Sequence, residues 1–153
     1  LPEIPKNTHN ISVWINQQIQ TSLLRLKIPQ LDGLLLHKPC ELLGKNGKEI
    51  WKIIQIKKDE GLIKKIVFTI YNPDELDVLE NYDIKMDIVQ APFNILDRRL
   101  EVSGWLDKLS QTGVELHSRS VFLQGLLLQE KNQRNPYFNK WSDYFNKFNE
   151  WIF

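Results

Sequence analysis

The chain has 153 residues and a single cysteine, Cys40, so no disulfide can form within it. That fits a reducing compartment. Long apolar runs are missing too: nothing approaches the ~20 residues needed to span a bilayer. The opening LPEIPKNTHN lacks the charged and apolar regions of a signal peptide. A charge of one sign is also lacking. The net charge is +1, which gives no reason to expect nucleic acid or an anionic membrane as a partner. The densest basic pairs, Lys57-Lys58, Lys64-Lys65 and Arg98-Arg99, read as solvated faces. Low-complexity segments and sequence repeats are absent as well. No glycine fingerprint follows any predicted strand, so a doubly wound dinucleotide-binding sheet has no positive support. The expectation is a soluble cytoplasmic protein.

What is present is an ordinary globular composition, 42% hydrophobic and 25% charged. At this length a folded domain buries roughly 68–70% of the surface its unfolded chain exposes. Residues 1–10 read as an N-terminal extension. Residues 11–27 read as a helix that Ser12 caps and Pro29 stops, with Ile15, Ile19, Leu23 and Leu26 on one face. LDGLLLH (31–37) is a short apolar strand. Residues 48–59 form a second helix with Ile50, Ile53 and Ile54 inward and Gly61 closing it. IKKIVFTIY (63–71) is a β-branched, aromatic strand. Asn72-Pro73 opens a helix that runs to about Tyr82. DIVQAPF (87–93) is the third strand, 100–113 a helix with an internal Gly104, and VELHSRSVF (114–122) the fourth strand. A last helix covers 136–153, with Trp141, Phe145, Phe148 and Ile152 along one stripe.

Strand, helix, strand, helix in this order is the pattern of right-handed βαβ crossovers and a parallel sheet. Such sheets, covered on two faces, come mainly as doubly wound sheets or barrels.

Three stretches together resemble the aldo/keto reductases: SLLRLKIPQLDGLLLHKP (22–39), EGLIKKIVFTIYNPDEL (60–76) and DIVQAPFNILDRRLEVSGWLDKLSQTGVELHSRSVFLQGLLL (87–128). The last is similar in wording to a bacterial subgroup. The resemblance implies an α/β fold, a partial (β/α)8 TIM barrel of about four βα units. Residues 11–128 match best, and 1–153 is expected to form one partial domain. It implies carbonyl reduction with NADP(H) and a small carbonyl substrate. In such barrels the chemistry sits at the C-terminal ends of the strands. His37 matches the family's catalytic histidine, which orients the substrate carbonyl. Thr69 falls where the family has serine and Ile70 where many members have asparagine, both holding the nicotinamide amide. Gln90 matches the glutamine that contacts the same amide. Arg119 falls where many members have a tyrosine stacked on the nicotinamide. Ser120, Phe122 and Gln124 fall in the loop beside the cofactor's pyrophosphate. Val67 stands where the family commonly has glycine.

The family's tyrosine, lysine and aspartate have no counterparts here; they would precede residue 1. General acid catalysis typically contributes about 10²–10⁴-fold. Little or no reductase activity is therefore expected from this chain alone. Four strands of eight leave two open edges and an uncovered, apolar inner face. The expected partner is a second copy or a companion polypeptide that completes the barrel.

Plainer readings stand beside these. From spacing alone His37 reads as a satisfied core histidine, and Gln90 as an ordinary strand residue. His9 and His117 form no metal spacing with His37, and no metal is expected. Cys40 lies three residues past His37, but no orienting group or oxyanion motif accompanies the pair. Asp97-Arg98-Arg99 reads as a loop charge network rather than a phosphate site. The aromatic end reads as a barrel helix or a bared apolar face, with a membrane-surface helix as the lesser alternative.

Overall fold

The structure, a computed structural model, describes residues 1–152. They fall into two compact units, Leu1–Arg119 and Ser120–Phe153, where one partial domain is expected from the sequence.

In the first unit, α1 (Ile11–Leu26) is capped by Asn10, not Ser12: the Asn10 side chain accepts from the Val13 N–H. Asn10 lies just outside the first turn, where the orphan N–H groups are within reach of its short side chain. The buried stripe is Ile11, Ile15, Ile19 and Leu23. Leu26, expected inside, is 60% exposed: it is the last residue of the helix, next to the Lys27 cap. The 3-10 turn Pro39–Leu43 follows β1 (Leu31–Leu36) and leads into α2 (Gly47–Asp59). Ile50, Ile53 and Ile54 are buried as expected. Gly61 takes φ +75° and donates to the Lys58 carbonyl, while Leu62 donates to that of Lys57. This double closure needs a left-handed residue, which glycine supplies without strain.

After α2 come β2 (Ile63–Thr69), α3 (Asp74–Asn81) and β3 (Ile88–Pro92). The single helix expected over 100–113 is two pieces, α4 (Arg99–Val102) and α5 (Trp105–Gln111). They break where Gly104 turns to φ +80°. The last strand, β4 (Glu115–Arg119), stops short of the expected 122, because Ser120 turns to φ +57°. An extended ladder cannot continue through that geometry.

The four strands lie in the order β1-β2-β3-β4, every pair parallel. Side chains alternate across the sheet. Leu34 and Leu36, Ile66 and Phe68, Val89 and Ala91 join one core with residues of α1, α2, α3, α4 and α5. The helices of this first unit thus all cover one face. A doubly wound sheet has helices on both; helices on one side only are what a barrel wall requires.

The other face carries Gly33, Leu35, Lys65, Val67, Thr69, Ile88, Gln90, Glu115, His117 and Arg119. It is not the exposed apolar patch that four isolated strands were expected to bare. Val67, Thr69 and Ile88 are buried, while the exposed side chains here include Glu115 and His117. Lys65 on β2 reaches past β3 to pair with Glu115 on β4.

The second unit has a 3-10 turn at Leu126–Leu128, another at Pro136–Trp141, and α6 (Ser142–Ile152). The helix expected from 136 begins only at 142, after the Asn135-Pro136 turn, and its expected last residue, Phe153, lies outside the described residues. Leu127, Phe145 and Phe148 form a small core, and the Arg134 guanidinium stacks 4.3 Å over Phe145. Trp141 and Ile152, expected on the same stripe, are exposed. No helix among the described residues is long and apolar enough to cross a membrane.

Candidate functional site

The strand register decides which side chains meet at the C-terminal rim. Thr69 pairs with Gln90, and Gln90 with His117. Leu36 pairs with Phe68, so His37 and Thr69 are each one residue further along adjacent strands. His37, Thr69, Gln90 and His117 therefore form one row across the sheet, with Arg119 one step above it, level with Pro92. Parallel strands put these residues at the same end because each strand runs the same way.

Thr69 is almost fully buried, and its hydroxyl donates to the Gln90 side-chain oxygen at 3.4 Å. That is long for an O–H···O bond, so both groups keep capacity for other partners. The pairing of β2 with β3 goes one residue further, the Ile70 N–H donating to the Gln90 carbonyl at 3.0 Å. Arg119 reaches past β3 in the opposite direction. Its Nη2 donates to the Ile70 carbonyl at 3.0 Å, and its guanidinium lies 4.1 Å over the Tyr71 ring. The Arg119 Nε is buried without a partner among the described residues.

His37 is exposed, and its backbone N–H donates to the Leu1 carbonyl at 3.3 Å. It is the next inner-face position after Leu35. Lys38, beside it, pairs with Glu3, and that hydrogen bond holds the lysine above its ordinary pKa and the glutamate below its own. Cys40 is exposed.

Ile70 is a correction. Its side chain is wholly buried in the helix-side core, so it cannot hold a ligand on the inner face; only its carbonyl serves the rim. The reason is the alternation of β2, which turns position 70 with Ile66 and Phe68 toward the helices. Val67 fills inner-face space that Gly33 leaves free: a Cβ at Gly33 would lie 2.9 Å from the Val67 Cγ2. Ser120, Phe122 and Gln124 belong to the second unit. Phe122 and Gln124 are exposed in a run of turns where Ser120, Leu123 and Gln124 all take positive φ.

The basic pairs are met by acids: Lys57 by Glu60, Lys58 by Asp87, Lys64 by Asp32, Arg98 by Glu101 and Arg99 by Asp97. Residues 94–99 do form a loop charge network. The Arg99 fork grips both Asp97 oxygens at 2.9 and 2.7 Å, which draws the Asp97 carboxyl below its ordinary pKa. The Asn94 side chain accepts from the Leu96 and Asp97 N–H groups. Among the described residues no cluster of His, Cys, Asp or Glu could hold a metal ion.

The row also contains His117, to which the sequence assigned no role. Its signal is the two-residue spacing from Arg119 along β4, which puts both on one face.

A model of the aldo/keto reductase family matches residues 4–152. No match is found among curated protein sequences. Among solved structures, the aldo-keto reductase AKR11C1 from Bacillus halodurans is similar over 84% of this chain and 43% of its own, with TM-score 0.65 and 23% identity. Aldose reductase from Giardia lamblia matches 71% of this chain and 41% of its own, with TM-score 0.53 and 19% identity. The aldo-keto reductase AKR2E5, crystallised with NADPH, matches 71% and 35%, with TM-score 0.55 and 19% identity. The chain spans less than half the length of each of these structures.

Proposed function

The chain belongs to the aldo/keto reductase family, and from that premise we propose that it supplies part of an NADP(H)-dependent carbonyl-reducing site. One observation carries the reading: His37, Thr69 and Gln90 stand in one row at the C-terminal rim of a parallel sheet, on the face opposite the helices of the first unit. That is the end where barrel enzymes do their chemistry.

The residues fit the cofactor's carboxamide. An amide needs one acceptor and one donor, and Thr69 and Gln90 offer both, 3.4 Å apart, without being locked to each other. NADPH, when bound, supplies the hydride. His37 donates a hydrogen bond to the carbonyl oxygen and fixes its direction. As negative charge builds on that oxygen, the bond strengthens, so it favours the transition state over the ground state. Thr69 and Gln90 orient the carboxamide. The family's tyrosine, lysine and aspartate are not supplied by these residues, so proton delivery falls to strands outside this sequence. The reading therefore includes a companion polypeptide or further segment that completes the barrel, a reducing cytoplasmic setting, and negligible activity for these residues alone.

Titration with NADPH in the presence of the completing strands, followed by nicotinamide fluorescence, tests the cofactor half of this reading. Saturable binding weakened by Gln90→Leu is expected. Binding that Gln90→Leu leaves untouched would remove the carboxamide from this rim.

A second reading is favoured by the open edge of β4, which is bonded to β3 alone within the sheet. Unpaired edge groups invite another chain, and a self-associated half-barrel would occupy that edge. Light scattering distinguishes them: a chain that stays dimeric when mixed with the completing strands favours self-association.

A further inference from the structure

We propose that Arg119 is the receptor for an oxyanion, a carboxylate or a phosphate, at the rim of the inner face. The inference stands on the geometry of the first unit and does not depend on the reductase reading.

Arg119 is half-buried, yet no ion pair joins it to a carboxylate among the described residues. Arg98 and Arg99, by contrast, each hold an acid. A guanidinium has five N–H donors in a rigid fork. The two contacts that hold Arg119 are one bond to the Ile70 carbonyl and the stack on Tyr71. Its Nε, buried without a partner, is the atom that would complete a two-pronged grip on an anion. Leaving a charged donor buried and unmatched is costly, so an acceptor at that point stabilises the arrangement.

One carboxylate lies near, Glu75, but it is held by the Tyr71 and Asn72 N–H groups, on the N–H side of the peptide whose carbonyl Arg119 grips. Glu115, the carboxylate at an inner-face position of β4, lies four residues down the strand, roughly 13 Å at the usual rise, and is engaged by Lys65. Thr69, Gln90 and His117 add neutral or donor groups one row below. The contacts with Ile70 and Tyr71 also fix the guanidinium plane in advance, which reduces the ordering cost of binding. Arg134 also has a buried Nε without a partner, but it stacks on Phe145 beside an apolar core, with no comparable row of polar groups at hand.

The test is a titration of the chain, followed by the arginine Nε–H signals in nitrogen-edited NMR, with inorganic phosphate, succinate or NADPH as probe. The Arg119 signal is identified by its loss in Arg119→Lys. It is expected to shift saturably with phosphate or succinate while the signals of Arg134 and exposed Arg25 stay still. Saturation by succinate assigns a carboxylate and saturation by inorganic phosphate a phosphate; saturation by NADPH alone, which a nicotinamide stacked on Arg119 would also give, overturns the proposal. Calorimetry with the saturating probe should give a Kd about tenfold weaker for Arg119→Lys, which keeps the charge and loses the fork. An Arg119 signal that moves only as Arg25 does with all three probes, or an unchanged Kd in Arg119→Lys, overturns the proposal.

Discussion

His37 contributes to the fold through its backbone, whose N–H holds the Leu1 carbonyl, while the residue itself is exposed. Its side chain is thus free for function. His37→Ala is expected to change stability by less than about 0.5 kcal/mol, the usual range for a surface substitution, as read from urea midpoints. Asp97 behaves differently. Its carboxyl is drawn below the ordinary value first by the Arg99 hydrogen bonds, with the backbone bond from Arg99 and its charge adding to them. A lowered folded pKa stabilises the protein above the ordinary carboxylate value, about 3.9. That increment is lost as pH falls through the lowered value. The increment is small, as ion pairs near the surface usually are. Comparing acid unfolding of wild type and Asp97→Asn checks the sign: the variant should lose less stability in that acid window.

Helices and strands were legible to the extent that burial is periodic. Ile50, Ile53 and Ile54 announce α2, and the β-branched run 63–69 announces β2. Ile54 is wholly buried, so Ile54→Ala is expected to destabilise the protein by about 2–5 kcal/mol, as cavity-forming changes do, measured by chemical denaturation. Boundaries were less legible, because they are set by single residues in unusual backbone states. Lys27 ends α1 at φ +55°, a left-handed conformation that its Cβ disfavours. Lys27→Gly should raise stability by about 0.5–1 kcal/mol, and thermal unfolding would register it. Ser120 ends β4 in the same manner, which a hydrophobic pattern cannot reveal. Position 70 was misjudged for another reason. The family's polar residue there suggested a ligand contact, but alternation along β2 turns Ile70 into the core.

At the scale of the whole molecule, two features agree: the parallel order β1-β2-β3-β4 and the gathering of all the helices in the first unit on one face. Together they describe a wall of a barrel rather than a closed one. The division at Ser120 was not legible, because no glycine or proline interrupts the sequence from Val114 to Gln124 to mark where the strand ends. The row of His37, Thr69 and Gln90 was legible only through family resemblance, since each alone reads as an ordinary residue of its strand. The central claim is that this row becomes a carbonyl-reducing site when the remaining strands are supplied. The decisive measurement is the rate of NADPH oxidation by a mixture of this chain and a polypeptide carrying those strands, with an aromatic aldehyde as substrate. The mixture should turn over while neither part does, and His37→Ala should lower the rate about 10²-fold, the scale of a lost transition-state hydrogen bond. A co-purifying mixture whose rate is indifferent to His37→Ala would contradict the claim.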